Sequence, residues 1–84
     1  MRFITSMNVI PANYKKAIKK FKNPRIPEGL EILDFYWMFG TPDAIIIFNA
    51  PNEETAGEFI IQFGDVAEIK TSVAFSIQKM SWTE

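Results

Sequence analysis

Two amphipathic stripes with the same spacing constrain this chain most. Tyr14, Ala17, Ile18 and Phe21 fall at i, i+3, i+4 and i+7, and Ala56, Phe59, Ile60 and Phe63 repeat the pattern further along. Each set makes one apolar stripe on a helix. A helix with one apolar stripe must bury it against another element, so each stripe needs a surface to lie on. The flanking segments supply it, because their apolar residues either alternate with period two or run continuously, as in strands.

Pro, Gly and Asp residues divide the chain. Residues 2–10 read as a strand, with Phe3, Thr5, Met7 and Val9 on one face and Ile4, Ser6, Asn8 and Ile10 on the other. Residues 12–22 read as a helix entered through Pro11, whose missing N–H costs little in a first turn. A Pro-rich loop spans 24–29. Residues 30–39 read as a second strand, with Leu33, Phe35, Trp37 and Phe39 on one face and Ile32, Asp34, Tyr36 and Met38 on the other. Gly40-Thr41-Pro42-Asp43 reads as a turn. Residues 44–49 are continuously apolar up to Asn49, as in a central strand covered on both faces. Residues 52–63 read as a helix with Asn52 as N-cap, Glu53 and Glu54 at the positive end of its dipole and Gly64 as its stop. Residues 66–79 read as a last strand, with Ile69, Thr71, Val73, Phe75 and Ile77 on the apolar face. A short tail from Met80 carries Trp82.

The order β-α-β-β-α-β predicts an α+β, ferredoxin-like single domain over 1–84. It is a four-stranded antiparallel sheet with two helices on one face. Right-handed crossovers put strands one and three in the centre. Both helices then cover one face. The other carries Ile4, Ile10, Ile32, Tyr36 and Met38 beside Ser6, Asn8 and Asp34, which is too apolar to stand in water. Eight Phe, two Trp and an apolar fraction of 48% in 84 residues also exceed what so short a chain needs for its own core. Both observations point to a homodimer joined through the second sheet face, or a higher oligomer built on it.

Composition excludes several classes. There is no cysteine and no histidine, so disulfide scaffolds, thiol chemistry and imidazole metal sites are out. No metal or cofactor is expected. No apolar run approaches the ~20 residues of a membrane helix. A net charge of −1 argues against a nucleic-acid binder. The start lacks the pattern of a secretory signal, and a cytoplasmic location is expected.

Phe39-Gly40-Thr41-Pro42-Asp43, the apolar strand after it and Ala50-Pro51-Asn52-Glu53 resemble the GYD-domain family. Gly40 and Asp43 match the Gly and Asp of its hallmark turn, and Pro42 stands where the family has Tyr. Gly64-Asp65-Val66 fits the same pattern, and Pro27-Glu28-Gly29 resembles a neighbouring small family. Both belong to the dimeric α/β-barrel superfamily of ferredoxin-like domains. The resemblance implies that fold and a dimer, and no defined activity.

Candidate binding residues follow from the faces. Asp34 sits mid-strand with Tyr36 beside it on the same face, as a proton acceptor and ligand group or as an edge charge that blocks strand addition. Asn8 could orient a ligand carbonyl or bond a neighbouring subunit. Trp37 could border a pocket between sheet and helices or simply fill the core. Gly40 and Asp43 read as turn chemistry, or as an acid at a pocket mouth. Lys15, Lys16, Lys19, Lys20, Lys22 and Arg25 read as a solvated surface, or as a phosphate-binding one, with the acids of the second helix as their electrostatic counterpart. No nucleotide loop, nucleophile elbow or other catalytic motif is present. The first expectation is therefore a small-molecule-binding or structural/regulatory module. The alternatives are a cofactor-independent enzyme of monooxygenase or isomerase type near Asp34 and Tyr36, and a stand-alone effector domain like those of amino-acid-responsive regulators.

Overall fold

A computed structural model describes residues 1–81. The chain forms β1 (Arg2–Val9), α1 (Tyr14–Lys22), β2 (Glu31–Trp37), β3 (Ala44–Asn49), α2 (Glu53–Ile60) and β4 (Ala67–Ala74). Short 3-10 turns at Pro11–Asn13, Ile61–Phe63 and Ile77–Lys79 lead into α1, extend α2 and follow β4. The sheet order is β2-β3-β1-β4 and every pairing is antiparallel. This is the α+β, ferredoxin-like arrangement, with strands one and three central as the sequence predicts.

Local chemistry explains the helix boundaries. Asn52 caps α2 by accepting the Thr55 N–H at 2.8 Å, and Glu53 and Glu54 sit in its first turn. Lys19, Lys20 and Lys22 occupy the last turn of α1, where the dipole favours cations. Pro11 opens the preceding 3-10 turn.

The core lies between the sheet and α2. Phe48, Phe59 and Phe63 are fully buried, with ring centroids 5.1 Å apart for Phe48–Phe59 and 5.6 Å for Phe59–Phe63. Phe21 brings α1 into this cluster at 5.4 Å from Phe63 and 5.1 Å from Phe35. Thr5 is the one buried polar residue among those described, and its hydroxyl meets that of Thr71 at 2.8 Å.

The structure departs from the sequence reading in four places. A bulge between Ile32 and Asp34 turns Ile32 onto the core face, while Asp34 and Tyr36 stay on the other. β2 ends at Trp37, so Phe39 leaves the apolar face and is completely exposed. β4 ends at Ala74, which leaves Phe75 and Ile77 exposed rather than on the sheet. Tyr14 and Ile18 are exposed at the rim of the α1 stripe, whereas Ala17 is buried and Phe21 packs on the core. Trp82 lies outside the described residues.

Candidate functional site

The face opposite the helices is built by strand register. Residues paired across antiparallel strands project on the same side. The pairings therefore set out rows from β2 to β4. The first is Glu31, Asn49, Arg2 and Ala74; the second is Asp34, Ile47, Ile4 and Ser72; the third is Tyr36, Ile45, Ser6 and Lys70. Asn8 and Glu68 are paired beyond the end of β3. No described residue outside the sheet covers this face. Ile4 is 39% exposed and Tyr36 54%, with Ile45 and Ile47 half-buried between them. The molecule measures only 17 Å along its shortest axis. Its radius of gyration is 13.7 Å, against about 12 Å for a compact chain of this length.

The structure brings Asp34 and Tyr36 together. The Tyr36 hydroxyl donates to Asp34 Oδ1 at 3.1 Å, in the open. That hydrogen bond, the carboxylate charge beside it and a little burial hold the phenol above its usual range. Tyr36 is therefore a proton donor at neutral pH and not a base. Asn8 lies on the same face, half-buried, toward the far end of β1. Trp37 lies on the opposite face, where its ring meets Tyr14 edge-on at 5.7 Å and Phe21 at 6.3 Å. It borders a shallow depression of about 220 Å³ with Ile18, Phe21, Lys22 and Phe35. Trp37 thus shares no site with Asn8, Asp34 and Tyr36.

Gly40 and Asp43 do turn chemistry. Gly40 has φ +155°. Asp43 Oδ2 accepts the Val9 N–H at 2.8 Å, its N–H donates to Met7 O at 2.9 Å, and its carbonyl accepts the Met38 N–H at 2.7 Å. The α1 lysines find a partner other than the acids of α2. Lys20 and Lys16 reach Asp65, at 2.7 and 3.2 Å. These bonds, with Lys20 first, hold the Asp65 carboxyl below its usual range. Among the described residues no cluster of three acids, histidines or cysteines could hold a metal ion, and no helix is long and apolar enough to cross a membrane.

One feature escaped sequence reasoning. An open apolar groove of about 590 Å³ runs between α2 and β4, lined by Phe3, Ala56, Gly57, Ile60, Ile69 and Val73 with Glu53 and Thr71 at its sides. Ala56 and Gly57 line its α2 side, and a Cβ added at Gly57 would meet nothing within 4 Å.

Fold and open face together define a two-layer, ferredoxin-like α+β domain. The chain belongs to the family described as a domain of unknown function, DUF3303, whose pattern matches residues 1–83. It is similar in structure to B. subtilis LrpC, with a TM-score of 0.70 and 23% identity, over 89% of this chain and 50% of that one. It is similar also to MtbAldR, with a TM-score of 0.65 and 14% identity, over 95% of this chain and 54% of that one. The chain thus spans about half the length of these two structures, and at such identities the likeness is one of fold. No curated protein matches by sequence.

Proposed function

We propose that this chain is a single-domain homodimeric α/β-barrel protein, working in the cytoplasm as a structural or regulatory module without chemistry of its own. The observation that carries this is the uncovered sheet face, with Ile4, Ile45 and Ile47 contiguous on its two central strands. A sheet with helices on one face must cover an apolar second face with something. A second copy does so symmetrically. The GYD-like turn at Gly40 and Asp43 fits the same superfamily. The test is assembly: light scattering should report a dimer for the native chain, and Ile4→Asp with Ile47→Asp should give a folded monomer with an unchanged far-UV spectrum. A native chain that stays monomeric overturns the proposal.

The groove between α2 and β4 favours a second role in the same protein, the holding of a small apolar molecule. A thermal-shift screen of fatty acids and flat aromatic metabolites tests it. Loss of any shift in Gly57→Leu places the ligand there; a shift that survives that substitution places it elsewhere. The enzymatic alternative at Asp34 and Tyr36 is weaker, because the pair is open to solvent and its phenol is held protonated.

A further inference from the structure

The open face is not electrically uniform. On β2 it carries Glu31 and Asp34, on β1 Arg2 in the row of Glu31, and on β4 Lys70, one row from Asp34, with Glu68 one row further on. Among the described residues the Asp34 carboxylate has only the Tyr36 hydroxyl as a partner. Lys70 is exposed and makes no ion pair or side-chain hydrogen bond among the described residues. Within one chain the two cannot meet, since β3 and β1 lie between their strands.

Two sheets that pair face to face by a two-fold rotation have two simple choices of axis. An axis across the strands lays β2 on the β2 of the other copy. That brings the acids Glu31 and Asp34 toward their own copies, and like charges facing each other are destabilising. An axis along the strands lays β2 on β4 and β3 on β1. Residues of one row then face the same row of the other copy, in reverse strand order. Ile47 meets the partner's Ile4, apolar on apolar. Tyr36 meets the partner's Lys70, and Asp34 lies one row away, within reach of a lysine side chain across sheets about 10 Å apart. The same contact occurs twice, because the interface is isologous.

We propose that the second copy docks with its two-fold axis parallel to the strands, between β1 and β3, so that Asp34 and Tyr36 of each subunit clasp the partner's Lys70. The proposal rests on the sheet-face dimer above and adds its orientation. Asp34 and Tyr36 are then an interface clasp, and Lys70 is its counterpart.

The absence of native cysteine makes a cross-linking test clean. The probe is bismaleimidoethane, applied to Asp34→Cys, Lys70→Cys and the double variant at concentrations where light scattering shows each to be dimeric. In one chain positions 34 and 70 stand three strand spacings apart, about 14 Å, so a short linker must join two chains. The expected result is a covalent dimer in the double variant, with mass spectrometry showing position 34 joined to 70, and none in either single variant. Linkage in Asp34→Cys alone, or none in a dimeric double variant, overturns the orientation and leaves the sheet-face dimer standing. A native chain that is monomeric removes the dimer itself. A charge swap is the second measurement. Asp34→Lys should raise the dimer Kd about tenfold, because the clasp occurs twice, and adding Lys70→Asp should restore it. A swap that weakens the dimer further contradicts the clasp.

Discussion

The Asp43 carboxylate accepts the backbone N–H of Val9 at 2.8 Å, tying the turn between β2 and β3 to the end of β1. β3 begins at Ala44, opposite Met7, so the Val9 N–H has no strand partner on that side. Asp43→Ala leaves this donor unsatisfied. The expected loss is about 2 kcal/mol, since bonds to charged acceptors sit at the upper end of the usual range. Urea unfolding should show a lower midpoint at an unchanged slope.

Two phenylalanines separate core from surface. Phe59 is fully buried between Phe48 and Phe63, and Phe59→Ala should cost about 3–5 kcal/mol. A domain this small has little more than that to lose, so much of the variant should be unfolded at 37 °C by circular dichroism. Phe39 is fully exposed, and Phe39→Ser should stay within about 0.5 kcal/mol of the native chain.

Those two residues also show what a sequence can reveal. Phe59 sits in a stripe with a helix period, and a period specifies a face. Phe39 continues the alternation of β2 past the end of the strand, and alternation does not say where pairing stops. The same holds for Phe75 and Ile77 beyond the end of β4. The bulge after Ile32 shifts a face by one residue without any Gly or Pro to mark it. Asp34 and Tyr36 were legible as neighbours because they are two apart on a strand. The distance of Trp37 from them was legible too, one residue on and facing the other way. The groove beside β4 was not, because it depends on how α2 lies over the sheet rather than on either element alone.

Lys20 and Lys16 keep Asp65 ionised, with the larger effect from Lys20. The folded carboxyl value is lowered, so this contribution is present above the unfolded value, near 4, and disappears as pH falls through the folded one. Asp65→Asn should therefore melt slightly below the native chain at pH 7. The gap should close below about pH 4. Asp65 and Lys16 are exposed and Lys20 is half-buried, so the gap is small, and salt should shrink it at neutral pH.

Gly29 has φ +86°, and an added Cβ would meet Pro51 Cγ at 3.4 Å, an ordinary contact. Space permits a side chain there but the backbone disfavours it. Gly29→Ala should cost about 1 kcal/mol, and Gly29→Asn less, in thermal melts.

The open face with Ile4, Ile45 and Ile47 at its centre is the basis of the functional proposal, and mass tests it most directly. Sedimentation equilibrium of the native chain should give twice the 9.7 kDa of a single chain at micromolar concentration. A mass of 9.7 kDa that persists as the protein is concentrated would contradict it.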